Sequence, residues 1–205
     1  MKKPLLILLS FVCFISCKEQ SSEIQSNTTE EKVISEKPKI DKEFGWFGVE
    51  GDIELIASWS ASSPESNASG KVNSEDEVSI IVHQNQIGIS LIHNNKATKL
   101  ESIYDENLPD STFEVEVYAY DFDKDGQKEI VVIYAPESSF SYVKVFKYLK
   151  SFSELVGNFE GQSTIIIEDN TIVLPYGGQG LYSEYLYKDN NFFELKYHSP
   201  SNKNN

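Results

Sequence analysis

The residues best suited to chemistry sit in one short stretch, Asp121-Phe122-Asp123-Lys124-Asp125-Gly126-Gln127-Lys128-Glu129. Carboxylates at positions 1, 3, 5 and 9 put four negative charges into nine residues. Like-charge repulsion opposes such crowding unless a cation sits among them. The donors are oxygens, with no His or Cys nearby in sequence, so the expected cation is one Ca²⁺ rather than zinc. A flexible loop also suits Ca²⁺ better than Mg²⁺, which demands near-octahedral geometry. Gly126 permits a sharp turn and Gln127 can offer its backbone carbonyl, so the expected ligands are Asp121, Asp123, Asp125, Gln127 and Glu129. The alternative is an acidic turn capped by its own Asp side chains.

Directly after Glu129 comes Ile130-Val131-Val132-Ile133-Tyr134, an apolar run that reads as a buried strand. An EF-hand is excluded, because position 12 counted from Asp121 is Val132 where that loop needs a bidentate Glu. The pattern D-x-D-x-D-G-x-x-E, then an apolar strand and Ala135-Pro136, resembles the calcium hairpins of FG-GAP, VCBS and integrin-type propeller repeats over about sixteen residues. That resemblance implies a loop tying two antiparallel strands together at a blade edge, with Asp121, Asp123, Asp125 and Glu129 as side-chain ligands.

The elements that must hold this loop are strands. Alternating β-branched and aromatic runs, punctuated by Gly, Asn and Asp, fill residues 44–198, and helical periodicity is hard to find. Phe44-Gly45-Trp46-Phe47-Gly48 leads into an opening strand, Glu54-Leu55-Ile56-Ala57-Ser58-Trp59. The stretch from Ser60 to Glu77, with Pro64, Gly70 and many Ser, reads as a polar loop. Val78 to Val82 and Ile87 to Ile92 form a hairpin around Gln84-Asn85-Gln86, and Phe113 to Tyr118 alternates as the strand that feeds the acidic loop. A weak internal repeat aligns Tyr142 to Leu155 with Tyr182 to Leu195, and Ile87 to Leu100 is a looser third copy. Three-stranded antiparallel units near 40 residues are what propeller blades look like in sequence. The expected fold is therefore all-β: a single antiparallel domain, as a twisted meander or an incomplete β-propeller-like arrangement, because about 155 residues cannot close a ring.

What lies outside that domain is targeting sequence. Lys2 and Lys3 precede an apolar stretch, Leu5 to Phe14, too short for a stable membrane span. Phe14-Ile15-Ser16-Cys17 resembles the lipobox of bacterial lipoproteins, with Phe14 where that family usually has Leu. The resemblance implies a signal peptide over residues 1–16, cleavage before Cys17, and a lipid on the Cys17 thiol. It places the protein in a bacterial cell envelope, at the outer membrane, periplasmic or surface face, touching the membrane through that lipid alone. Residues 17–43, rich in Glu, Ser, Lys and Thr, read as a disordered linker with a reach of roughly 25–30 Å, and residues 199–205 as a disordered tail.

Composition narrows the function. All 18 basic residues are Lys and the formal charge is −14, so nucleic acid is excluded as a partner for want of a basic face. Loss of Lys2 and Lys3 with the signal would take the charge to −16. Cys13 leaves with the same segment and Cys17 carries the lipid, so no cysteine remains for catalysis. No G-x-S-x-G elbow, phosphate-binding glycine loop or H-E-x-x-H occurs. His83, His93 and His198 have no His or Cys at ligand spacing, and read as hairpin or surface residues. Glu137, Glu160, Glu168 and Glu184 sit at no informative spacing for a carboxylate-based glycan hydrolase.

One loop stands apart as a candidate recognition loop: Tyr176-Gly177-Gly178-Gln179-Gly180-Leu181-Tyr182. Its glycines let the backbone approach a partner, and tyrosines are rigid contact groups; the alternative is a tight connection whose tyrosines pack inward. The expected function is a calcium-stabilised, envelope-anchored binding module for a protein or glycan partner. The layout is also similar to immunity proteins and inhibitors of peptidoglycan hydrolases, which implies a loop entering a lysozyme-like cleft.

Overall fold

The computed structural model describes residues 48–63, 65–106, 108, 112–137, 140–149, 152–162, 164–176 and 181–198. All belong to one contact-dense unit, Lys42–Asn205, and all the regular structure described is strand: β1 (Val49–Gly51), β2 (Glu54–Ser60), β3 (Asn67–Lys71), β4 (Asp76–His83), β5 (Gln86–His93), β6 (Lys96–Tyr104), β7 (Glu114–Tyr120), β8 (Glu129–Glu137), β9 (Phe140–Leu149), β10 (Phe152–Gly161), β11 (Ile165–Glu168), β12 (Thr171–Tyr176), β13 (Leu181–Lys188) and β14 (Asn191–His198). The expected signal peptide, Cys17, linker and tail lie outside the described residues.

Three four-stranded antiparallel meanders repeat along the chain: β3 to β6, β7 to β10 and β11 to β14. The chain start adds one strand to each of two meanders. β2 pairs antiparallel with β7, and β1 pairs parallel with β11. The three sheets form no closed barrel. The repeat visible in the sequence is real in space, since Ile87 to Leu100, Tyr142 to Leu155 and Tyr182 to Leu195 cover much of the last two strands of the three meanders. Each of those hairpins carries a bulge or register irregularity, which increases local twist. The units have four strands where the sequence suggested three.

The sheets stack as layers around two cores. Val78, Ile80, Ile87, Ile89 and Leu91 pack against Val115, Val117, Ile130 and Val132. On the opposite face of the middle sheet, Val131, Ile133, Val143 and Val145 pack against Ile165, Ile167, Ile172 and Leu174. β8 therefore faces apolar partners on both sides, which explains why Ile130 to Ile133 runs without polar alternation. The edge strand β3 was hidden inside the expected polar loop. Its sequence Asn-Ala-Ser-Gly-Lys shows no apolar period because one side pairs with β4 while its residues are half or fully exposed. At Gly70, a Cβ would lie 1.8 Å from the Ile56 carbonyl oxygen, so only glycine allows β2 to approach β3 this closely.

Candidate metal site

The acidic stretch is the connection between β7 and β8, at one end of the middle sheet. Lys124 and Gly126 both take positive φ, 59° and 88°; open space surrounds the Gly126 Cβ position, so the turn geometry rather than crowding asks for glycine there. Backbone and carboxylates interlock within the loop. Asp121 accepts from the N–H groups of Asp125 at 3.1 Å and Gly126 at 2.9 Å. Asp123 Oδ1 accepts from Asp125 N–H at 3.3 Å, and Asp125 Oδ1 from Gln127 N–H at 2.7 Å.

Three of the expected ligands converge. Oxygens of Asp121, Asp123 and Glu129 all lie within 4.8 Å of one another, an arrangement able to hold a metal ion. Asp125 shares the loop but stands outside that carboxylate group; its carboxylate is turned to the backbone, as in a self-capped acidic turn. Self-capping and convergence therefore coexist, and at Asp121 both carboxylate oxygens that could face an ion also accept backbone N–H groups.

Glu129 is the unusual member. As the first residue of β8 it is carried under the loop and is 2% exposed. Oε2 accepts from Phe122 N–H at 3.1 Å, and the Tyr187 hydroxyl donates to Oε1 across 3.4 Å. Burial pushes its pKa up to about 7, with neighbouring Asp123 adding to the rise and the Phe122 N–H and Lys147 opposing it. Lys147 reaches Asp123 Oδ2 at 3.8 Å and also donates to Asn190. A buried carboxylate beside two others, with one long ammonium contact, is short of positive charge. The donor set is all oxygen, so it fits a hard cation of the Ca²⁺ kind and not a thiolate- or imidazole-seeking metal.

Phe122, which sequence reasoning passed over, pins the loop. It is fully buried between the two aspartates and meets Tyr120, Tyr187 and Phe192 at ring-centroid distances of 4.8, 5.4 and 5.2 Å. An apolar residue between two ligand positions was the available signal. Beside the loop runs an open groove of about 430 Å³ lined by Asp52, Tyr120, Asp121, Lys124 and Lys128, with Lys128 paired to Glu54 and Lys124 to Asp169 at 3.5 Å.

A second buried acid lies elsewhere. Asp76 is 4% exposed at the start of β4. It is hydrogen-bonded to His93 Nδ1 at 2.6 Å and accepts from the Tyr148 hydroxyl at 2.7 Å and Asn73 Nδ2 at 2.7 Å. Burial works to raise its pKa, and the bonds from Tyr148, Asn73 and His93 outweigh it, leaving the carboxyl below its ordinary value. Tyr148 belongs to β9, so the network bolts two sheets together. His93 is thus a partner of a buried carboxylate rather than a plain hairpin residue.

The candidate recognition loop is described only at its ends. Tyr176 continues the inward alternation of Ile172 and Leu174 and is hydrogen-bonded to Tyr185, whereas Tyr182 sits opposite Pro175 on the other face. Gly177, Gly178, Gln179 and Gly180 lie outside the described residues. No family model, curated protein or solved structure matches the chain.

Proposed function

We propose that this chain is a non-enzymatic binding protein of a bacterial cell envelope, anchored through a lipid on Cys17 and stabilised by one Ca²⁺. The observation that carries this reading is the convergence of Asp121, Asp123 and the buried Glu129 at the β7–β8 connection. In it, those three carboxylates hold the ion, with the Gln127 backbone carbonyl as a further donor. Bound Ca²⁺ would supply the positive charge the cluster needs and stiffen the loop against Phe122. The recognition partner is a protein or glycan, and the strongly acidic chain favours basic partners by electrostatic steering.

Thermal unfolding with added Ca²⁺ and with chelator tests the reading. An ion at a hundred times its dissociation constant stabilises by about 2.7 kcal/mol, which for a domain of this size raises Tm by roughly 5–10 °C. The rise is expected to vanish in Asp121→Ala and Asp123→Ala. Wild-type unfolding that ignores both calcium and chelator overturns the proposal. Pull-down from envelope extract, with and without calcium, then identifies the partner class; slowing of a muramidase by the purified chain would narrow it to a peptidoglycan hydrolase.

A further inference from the structure

The groove beside the acidic loop, about 430 Å³ in volume, falls within the roughly 300–1,000 Å³ of small-ligand sites. Its walls come from the link between β1 and β2 and from the β7–β8 connection. The lining divides by chemistry. Ile53, Ala119 and Tyr120 supply carbon surface and are buried or half-buried, whereas the exposed Asp52 and Lys124, with Lys128, supply charge at the rim. The carbon floor is set before any ligand arrives. Glu54 pairs with Ala119 in register, the Tyr120 hydroxyl donates to the Asp169 carbonyl at 2.6 Å, and the Tyr120 ring meets Phe122 at 4.8 Å and 77°. A ring fixed in this way loses little freedom when a ligand stacks on it.

We propose that this groove binds an uncharged sugar segment of a glycan, stacked on Tyr120; the proposal rests on reading the chain as a binding protein. Charge balance selects the ligand. Both rim lysines already have partners, Lys128 with Glu54 and Lys124 with Asp169 at 3.5 Å. An anion must break those pairs and then face Asp52 and Asp121. A cation must sit beside two ammonium groups, and Asp121 offers it little, because both of its oxygens already accept backbone N–H groups. Ammonium groups only donate and carboxylates only accept, whereas a hydroxyl does both. A row of hydroxyls can therefore use Lys124, Lys128 and Asp52 in turn without breaking either ion pair. Sugar rings add a C–H face that matches the Tyr120 ring and the Ile53 side chain.

Backbone amide chemical shifts of the purified chain, with calcium present, test this in titrations with trisaccharides of similar size. The N-acetylglucosamine and glucose trimers are uncharged, the glucosamine trimer carries ammonium groups, and the galacturonate trimer carries carboxylates. At least one uncharged trimer is expected to shift the amides of Asp52, Ile53, Tyr120 and Lys124 saturably, and to bind severalfold more tightly than either charged one. Tyr120→Ala should weaken that binding about tenfold, and Asp52→Ala severalfold. Asp52 is exposed and accepts no hydrogen bond among the described residues, so its variant reports on the groove even where loss of Tyr120 loosens the fold. No saturable shift with either uncharged trimer, shifts that map elsewhere, tighter binding of a charged trimer, or full affinity in Asp52→Ala each overturns the proposal. The calcium-dependent rise in Tm is measured on the same samples. A rise that persists without sugar binding sinks this inference alone, and its absence sinks the calcium site whatever the sugar does.

Discussion

An apolar side chain in an acidic loop is unfavourable unless something buries it, and Phe122 is buried completely. Phe122→Ala is expected to cost about 3–5 kcal/mol in urea unfolding and to weaken calcium binding severalfold in a titration, because the two aspartates on either side lose the anchor that aims them. Equal affinity in the variant would show that Phe122 serves only the core. Asp76 makes the second residue-scale prediction. Its folded pKa lies below the ordinary 3.8, so its contribution to stability is present above about pH 4 and is lost as pH falls through the depressed value. Asp76→Asn should therefore lose about 2–3 kcal/mol at neutral pH, and the gap to wild type should narrow below about pH 4 in unfolding titrations. A gap that is unchanged at acid pH would mean that the carboxylate charge is not what matters. The sequence displayed the loop carboxylates because they are close along the chain. It concealed Asp76, whose partners His93 and Tyr148 lie 17 and 72 residues away.

At the scale of elements, local pattern revealed strands wherever burial imposes alternation, as in Glu114 to Tyr120, and missed those shaped by backbone contact. β1 is such a case. Gly51 has φ +137°, and a Cβ there would sit 1.8 Å from the Ile167 carbonyl oxygen. The parallel pairing of β1 with β11 thus depends on a missing side chain, which no hydrophobic period announces. Gly51→Ala is expected to destabilise by about 3 kcal/mol and to speed hydrogen exchange at the backbone of Ile165 to Ile167. Exchange rates like those of wild type would show that β1 adjusts without leaving β11. The acidic loop was legible for the opposite reason: its turn, its donors and the strand that follows are contiguous, and all three obey local rules.

The middle sheet is shared by both cores, and this joins the fate of the acidic loop to residues far from it. Ile130 and Val132 belong to one core, Val131 and Ile133 to the other, so β8 cannot loosen on one face without disturbing the opposite one. The loop itself is fixed to the core containing Phe122 and Tyr187, while Trp59 is buried in the other and donates from its indole N–H to the Glu65 carbonyl at 2.8 Å. If the two cores unfold as one, calcium bound at Asp121, Asp123 and Glu129 must stabilise Trp59 as strongly as its own surroundings. In a Trp46→Phe chain, Trp59 emission should report the same Tm as near-ultraviolet circular dichroism of the tyrosines, and both should rise together, by roughly 5–10 °C, when calcium is added. A Trp59 midpoint that stays fixed while the tyrosine signal shifts would separate the layers into independent units, and would confine any effect of calcium to the sheets that flank its loop.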